Sequence, residues 1–292
     1  MNKKILILGA TGMAGHMLYY YLKENFSYSL VTCCFRNKLN ESSYILDVHN
    51  EDDIRRILST EKPDIVINCV GILIKGSKEN IGNCIYINSY YPHLLSKLIC
   101  AIIPNSKLIH ISTDCVFSGN KGSYLDSDVK DALDIYGMSK NLGEVINNRD
   151  LTIRTSIIGP ELKKNGEGLM HWIFCQRHEG SLNGYTKSIW GGVTTLELAK
   201  VIAHLVDSDL TGLVQVSNSE KIDKHSLISM IVKQFNLPVT VKSVDGIICD
   251  KSIIASSCLK KYHTVPSYQI MIKENYDYMI SHKYLYSQYF GE

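Results

Sequence analysis

The stretch KKILILGATGMAG, from Lys3 to Gly15, decides how this chain folds. Its apolar part ends at Leu8 and predicts a short, fully buried strand; the glycines that follow are spaced three apart and open an amphipathic helix that runs to about Lys23. A glycine-rich turn between a strand and a helix lets backbone amides approach a pyrophosphate at the positive end of the helix. An ordinary strand-to-helix turn is the alternative. The position of the turn favours a dinucleotide site, with the candidate residues Gly9, Thr11, Gly12, Met13 and Gly15.

The bulk composition narrows the class of protein. The chain has 292 residues, 45% of them hydrophobic and 21% charged, with a formal net charge of +2. These values are typical of a soluble globular protein and predict no nucleic-acid partner. No apolar run approaches the ~20 residues of a membrane helix, and the run after Lys3 and Lys4 is too short for a signal peptide. A cytoplasmic protein without membrane association is therefore expected.

Nine cysteines are scattered along the chain without a closely spaced pair of the C-x-x-C type. Most of them lie in predicted strands or helices, where small apolar residues are expected. Reduced thiols explain this distribution of cysteines better than a disulfide framework does, and no metal site is predicted.

Strands and helices alternate over the first ~150 residues, which predicts an α/β fold with a doubly wound parallel sheet of the Rossmann type. Predicted helices lie at 50–59 and about 79–102, and another begins at Tyr136. The predicted strands are Lys3–Leu8, Ser29–Phe35, Tyr44–Val48, Asp64–Val70, Lys107–Ile111 and Leu151–Ile157.

Candidate cofactor residues follow three of these strands, where ligands bind in such sheets. Arg36 stands where an NAD-specific site would place an acidic residue, and its guanidinium suits a 2′-phosphate. NADP(H) is therefore expected, with NAD(H) as the alternative; a solvated basic loop is the other interpretation of Arg36. Asp47 is placed to accept from an adenine amino group or to cap the next helix. The other candidates, which would let the cofactor lie across the strand ends, are Val48, Cys69, Val70 and Gly71.

The regular alternation fades after Gly159 and Pro160. Residues 1–160 are predicted to be the NADP-binding domain, and 194–216 to return to it as a helix and a strand. A smaller, interleaved substrate-binding region is expected from 161–193 and 217–292, with helices at 167–177 and 224–235. The segment 180–192 is interpreted as loop material over a pocket.

The stretch KLIHISTDCVFSGNKGSYLDSDVKDALDIYGMSK, from Lys107 to Lys140, carries the candidate chemistry. Its strand ends in Ser-Thr-Asp, which delivers Thr113 to a sheet edge. Tyr136 and Lys140 are four apart and share a face of the predicted helix. A free tyrosine has a pKa near ~10, so it needs a cationic neighbour to make its phenolate accessible at neutral pH. A phenol beside an ammonium is therefore the arrangement for giving a proton to a reduced carbonyl. Tyr19 and Lys23 have the same spacing but lack the upstream Ser-Thr-Asp.

Together these motifs resemble the extended short-chain dehydrogenase/reductase family. The glycine turn, Ser112–Asp114 and the pair Tyr136 and Lys140 match its three signatures in order. The segment from Ser112 to Gly119, the Tyr-Gly-x-Ser-Lys motif and Arg154-Thr155-Ser156 look like the dTDP-4-dehydrorhamnose reductase branch. The similarity is dense over residues 1–160 and thin afterwards.

The resemblance implies an NADPH-dependent reductase of a 4-keto group on a nucleotide-linked 6-deoxyhexose, acting in deoxysugar or surface polysaccharide synthesis. Tyr136 would be the general acid, Lys140 would lower its pKa and hold the nicotinamide ribose, and Thr113 would hydrogen-bond the keto oxygen. A nucleotide sugar would be the substrate and a homodimer the assembly considered. Substrate contacts would come from Ser112, Asp114, Cys115, Phe117 and Trp190.

One departure keeps the substrate open: Cys115 stands where the reductase branch usually has tyrosine. A dTDP-linked sugar and a UDP-linked N-acetylated sugar fit equally. Dehydratases of this family carry an acidic residue at that position, so cysteine argues against dehydration. Two alternatives remain: an epimerase with tightly bound NAD, which Arg36 disfavours, and a non-catalytic regulator that resembles the regulatory subunit of methionine adenosyltransferase.

Overall fold

A seven-stranded parallel sheet forms the centre of the computed structural model, which describes residues 3–290. Its strand order is β11-β6-β5-β4-β1-β2-β3. The chain runs outward from β1 to β3 and then crosses back to β4, so the order reverses between β1 and β4. The predicted α/β, doubly wound Rossmann fold is confirmed.

Residues 3–290 contain fourteen strands, several of only two residues. In chain order they are β1 (Lys4–Leu8), β2 (Ser29–Cys34), β3 (Tyr44–Ile45), β4 (Ile65–Asn68), β5 (Lys107–Thr113), β6 (Leu151–Thr155), β7 (Ile157–Ile158), β8 (Ser181–Tyr185), β9 (Ser188–Trp190), β10 (Val193–Thr194), β11 (Gly212–Gln215), β12 (Ile222–Asp223), β13 (Thr240–Val244) and β14 (Cys249–Asp250).

Eleven α-helices lie in the same part of the chain, with a π-helical turn at Tyr86–Tyr90 between the fourth and fifth. They are α1 (Met13–Asn25), α2 (Glu51–Glu61), α3 (Ile74–Glu79), α4 (Ile81–Ile85), α5 (Tyr91–Ile102), α6 (Ile135–Leu142), α7 (Leu169–Cys175), α8 (Thr195–Leu205), α9 (Lys224–Gln234), α10 (Tyr268–Ser281) and α11 (Ser287–Phe290).

The first strand shows why both faces of the sheet are covered. Side chains alternate across a strand, and all of Ile5–Leu8 are buried. Ile5 and Ile7 belong to the core that includes residues of α1 and α8. Leu6 and Leu8 belong to a second core, with residues of α2 and α5. A continuous apolar run is the expected pattern for a parallel strand between two helical layers.

Two predicted elements differ from the structure. The helix expected over 79–102 is divided, because Asn80 has extended backbone, ends α3 and caps α4 by accepting from the Asn83 amide. The interpretation of 180–192 as loop is wrong: β8 pairs with β13, and β9 pairs with β12 and β14. The segment 194–216, expected to return to the first domain, contains β11. This strand pairs with β6 at the edge of the main sheet.

His16 joins the glycine turn to the C-terminal part of the chain. Its ring is fully buried, with Nδ1 2.8 Å from the Gly12 carbonyl oxygen and Nε2 3.1 Å from the Tyr286 hydroxyl. Burial lowers the pKa of His16 to about 4, although the Gly12 carbonyl opposes this. The imidazole is therefore neutral in the folded protein at every pH at which the protein is usually handled.

Because His16 is buried and neutral, we expect the folded protein to lose stability in acid. The unfolded chain binds a proton at His16 near pH 6.5 and the folded chain only near 4, so stability is complete above pH 6.5 and declines as the pH falls toward 4. Between pH 7 and pH 4.5 the loss amounts to about 2.5 kcal/mol. Urea unfolding at pH 7 and pH 4.5 should show a difference that His16→Gln reduces by that amount. The matched change His178→Gln, at an exposed histidine, should leave it intact; equal pH dependence in both variants would contradict the prediction.

Candidate active site

The glycine turn forms a close-packed cradle at the ends of β1, β2 and β4. Gly9 has φ +76°, and its amide donates to the Cys33 carbonyl at 3.0 Å. A Cβ on Gly15 would lie 2.3 Å from the Gly9 carbonyl oxygen. Helix α1 therefore packs directly on the turn with its amino end toward the sheet edge. This geometry fits a dinucleotide pyrophosphate, which needs close approach of the backbone to the phosphates.

Arg36 and Asp47 follow the carboxyl ends of β2 and β3, the two strands beyond β1 in the sheet. The Arg36 guanidinium lies 5.0 Å from the centre of the exposed Phe35 ring, in solvent where a phosphate can reach it. Asp47 accepts from the backbone amide and ring of His49, which hold the pKa of its carboxyl below the usual value. Helix α2 is capped by Asn50, so the helix-cap interpretation of Asp47 is wrong and its carboxylate is exposed.

Lys140 lies buried beneath the end of β5. Its ammonium donates to the Ile111 carbonyl at 2.8 Å. Burial lowers the pKa of Lys140 to about 8, against the charge of Glu144, which acts to raise it. Cys69, at the end of β4, also faces the ammonium, and burial raises the pKa of its thiol to about 12. Lys140 thus lies beside the strand end where the cofactor is expected.

Tyr136 begins the first turn of α6, which Asp134 caps by accepting from the Gly137 amide. Its phenol is close enough to the Thr113 hydroxyl for that group to act on its pKa, while the Thr113 hydroxyl itself donates to Asp114. Burial, followed by the neighbouring acidic groups of Cys115, Asp114 and Asp134, raises the pKa of Tyr136 well above its usual value, and Thr113 opposes this.

The predicted lowering of the Tyr136 pKa by Lys140 is not what the structure shows. The lysine ammonium is held at the Ile111 carbonyl, whereas the groups around the phenol are acidic. The phenol is therefore protonated at neutral pH. This state suits a proton donor, because a general acid must carry its proton when the substrate arrives.

A cavity of about 380 Å³ opens beside this centre. Cys115 and Asp134 line one side of it, and Lys78 from α3 lines another. Lys251 reaches the cavity from the segment after β14. Burial acts to lower the pKa of Lys251, but Cys115, Asp114 and Asp134 together raise it, so the ammonium is charged. The cavity therefore combines two ammonium groups with the Asp134 carboxylate, next to the end of β5.

Thr113, Asp114 and Cys115 form a hydrogen-bonded turn at the end of β5. The Thr113 hydroxyl donates to Asp114 Oδ1 at 3.0 Å and accepts from the Cys115 amide at 3.2 Å. Burial raises the pKa of the Asp114 carboxyl, while Lys251 and the surrounding hydrogen bonds oppose the rise. Burial also raises the pKa of Cys115 to about 12, so its thiol is neutral and cannot act as a base at neutral pH.

Three predicted substrate residues are engaged with the protein interior. The Ser112 hydroxyl donates to Glu144 at 2.8 Å. Phe117 is fully buried and stacked on Tyr124, with ring centres 4.1 Å apart. The buried Trp190 donates its indole N–H to the Ser156 hydroxyl at 2.8 Å. These contacts give each side chain a structural role, and their contact with substrate stays a prediction.

The two tyrosine–lysine pairs with the same spacing lie in different surroundings. Tyr19 and Lys23 lie on α1, where the ammonium is 5.7 Å from the Tyr19 ring centre and the Tyr19 hydroxyl accepts from Asn40 at 3.0 Å. No residue of the Ser-Thr-Asp turn is among these contacts. Sequence reasoning missed Lys251 and Lys78, since isolated lysines outside a motif carry no recognisable pattern.

Comparison with known proteins shows which proteins this chain is similar to. A methionine adenosyltransferase 2 subunit beta of Danio rerio is 25% identical over 251 residues, which are 81% of this chain and 75% of the relative. A dTDP-4-dehydrorhamnose reductase of Aggregatibacter actinomycetemcomitans is 26% identical over 215 residues, covering 72% and 69% of the two chains.

Among solved structures, a dTDP-4-dehydrorhamnose reductase from Bacillus anthracis in complex with NADP is similar with a TM-score of 0.81. It is 21% identical, and the match covers 95% of this chain and 100% of that one. No helix within residues 3–290 has the length and apolarity needed to cross a membrane. The family described as the RmlD substrate binding domain matches residues 3–252, and this chain therefore belongs to that family, in the dTDP-4-dehydrorhamnose reductase-like branch of the extended short-chain dehydrogenases/reductases.

Proposed function

We propose that this protein is an NADPH-dependent reductase of the 4-keto group of a nucleotide-linked 6-deoxy-4-ketohexose. The observation that carries the proposal is the protonated Tyr136 phenol within reach of Thr113, at the edge of a dinucleotide-binding sheet. The cavity beside it, with Lys78 and Lys251, has the charge that a nucleoside diphosphate sugar requires. The similarity to dTDP-4-dehydrorhamnose reductases supports this substrate class.

NADPH, when bound, supplies the hydride that reduces the carbonyl carbon. The chain's own residues do the rest. The cradle of Gly9, Gly12 and Gly15 would hold the pyrophosphate, and Lys140 would hold the nicotinamide ribose. Thr113 would hydrogen-bond the keto oxygen by turning to it the hydroxyl proton that it donates to Asp114 in this structure. Tyr136 would deliver a proton to the same oxygen as negative charge develops on it.

Following NADPH absorbance against dTDP-, UDP- and GDP-linked 4-keto-6-deoxysugars tests the proposal directly. Oxidation of one equivalent of NADPH per sugar reduced, with one of these substrates preferred, is expected. The panel also separates the dTDP sugar from the UDP-linked N-acetylated sugar, which Cys115 leaves equally open. An absence of turnover with every member of the panel would reject the reductase.

Arg36 should set the choice of cofactor. A charge-assisted contact to the 2′-phosphate is worth about 1.5–3 kcal/mol, so Arg36→Ala should reduce the preference for NADPH over NADH by about 10- to 100-fold. Dissociation constants for both cofactors measure this ratio. Lys38→Ala is the matched control, because Lys38 donates instead to the Glu41 carbonyl at 3.0 Å. An unchanged ratio in Arg36→Ala would mean that the arginine is only a solvated loop residue.

A second candidate function is regulatory. The similarity to methionine adenosyltransferase 2 subunit beta, over 81% of this chain, favours it. A regulator would bind a dinucleotide, give no turnover in the panel above and change the activity of an added methionine adenosyltransferase. An epimerase, by contrast, would purify with bound NAD and consume none, which cofactor analysis of the purified protein detects.

A further inference from the structure

A buried ionic network lies directly under the candidate active site. Its centre is Glu144, whose side chain has no exposed surface. The carboxylate accepts two bonds from Arg154, each 2.8 Å long, one from Ser112 at 2.8 Å and one from Lys130 at 3.1 Å. Arg154 continues the network by donating to Gln215 at 2.9 Å.

The network reaches the catalytic residues through two neighbouring positions of β5. The Ile111 carbonyl accepts from the Lys140 ammonium, and the Ser112 hydroxyl donates to Glu144. Ser112 is also the register partner of Arg154 in the neighbouring strand β6. The hydrogen-bond partners of the Lys140 ammonium and of the Glu144 carboxylate are thus consecutive residues of one strand.

We infer that Glu144 is a positioning residue of the cofactor site, whose buried negative charge keeps the Lys140 ammonium charged at the Ile111 carbonyl, where it can bind the nicotinamide ribose. The inference rests on the ribose-binding role proposed for Lys140. It does not depend on which sugar is reduced.

The surroundings of Lys140 explain why it needs this partner. Its ammonium is buried, which favours the neutral amine. The other titratable groups that face it are thiols or a neutral imidazole, namely Cys69, Cys84 and His110. Burial and the charge of Lys140 itself hold the pKa of His110 well below its usual value. Glu144 is therefore the carboxylate that opposes the loss of the lysine proton.

Arg154 and Lys130 share the same carboxylate and set its charge. Burial acts to raise the pKa of Glu144, but hydrogen bonds and the charge of Arg154, with Lys130 and Ser112, hold it below its usual value. Glu144 is therefore ionised throughout the pH range in which Lys140 titrates. Removal of the Glu144 carboxylate would take away the negative charge that acts to keep Lys140 protonated, which favours the neutral amine.

The pH dependence of NADPH binding tests the inference without a sugar substrate. Wild-type affinity should weaken as the pH rises through about 8, where Lys140 loses its proton. In Glu144→Gln this midpoint should fall by about one to two pH units, because the buried negative charge that opposes the loss of the lysine proton has been removed. Glu144→Asp keeps the charge and should restore the wild-type midpoint, which a merely structural role of the side chain would not require.

Two further variants complete the design. Asp150→Asn changes another buried carboxylate, which Arg149 and Ser96 bind at the opposite end of β6, and its midpoint should equal that of the wild type. If Glu144→Gln does not fold, the double change Glu144→Gln with Arg154→Met removes both buried charges. Its midpoint should still lie below that of the wild type, by less than in Glu144→Gln alone, because a positive charge is removed together with the negative one. A wild-type midpoint in a folded protein without the Glu144 charge would overturn the inference. Loss of sugar reduction alone would affect only the proposed function.

Discussion

Tyr136→Phe should lower the rate of NADPH oxidation by about 100- to 10,000-fold while leaving NADPH affinity nearly unchanged. The substitution removes one hydroxyl, and that hydroxyl is the proton donor that the raised pKa keeps protonated at neutral pH. The ring remains in place at the first turn of α6, so the cofactor cradle is not altered. Single-turnover rates and NADPH dissociation constants separate the two effects.

The chain supplies a matched control for this experiment. Tyr19→Phe makes the same chemical change at the other tyrosine that has a lysine four residues later, but on α1 and bonded to Asn40. It should keep full activity with at most a small loss of stability. Equal activity of Tyr136→Phe and the wild type would remove the phenol from the mechanism.

Gly15→Val should weaken NADPH binding by about 100-fold or more. The new Cβ would lie 2.3 Å from the Gly9 carbonyl oxygen and 3.0 Å from the Ala10 Cα. These are backbone atoms, which cannot rotate away as a flexible side chain would. Helix α1 must therefore move from the turn, and its amino end no longer faces the pyrophosphate.

Gly82→Val is the control for this substitution. Gly82 lies on α4, where the nearest atom to an added Cβ is a side-chain oxygen of Asn80 at 3.8 Å. NADPH affinity should be unchanged in this variant, and circular dichroism should show that both proteins are folded. Wild-type affinity in Gly15→Val would mean that the turn does not hold the cofactor.

The first 160 residues were predictable because their signals are local. A strand buried on both faces needs a continuous apolar run, and a turn that approaches phosphates needs glycine, so Ile5–Leu8 and Gly9–Gly15 predict both the strand and the site. The second half carries weaker signals. The strands β8 and β9 are paired with distant partners at 240–244 and 222–223, and polar and glycine residues there resemble a loop until those partners are known.

The sequence by itself determined the parallel sheet, the glycine cradle and the tyrosine, lysine and threonine at one sheet edge, because each depends on neighbours within a few residues. Only the tertiary structure decided the charges around them. Three features depend on distances between side chains that no motif records. They are the acidic groups around the Tyr136 phenol, the effect of the Glu144 carboxylate on Lys140, and the position of Lys251, which comes from a distant segment. Electrostatic interaction depends on distance and burial in space, and a motif specifies neither.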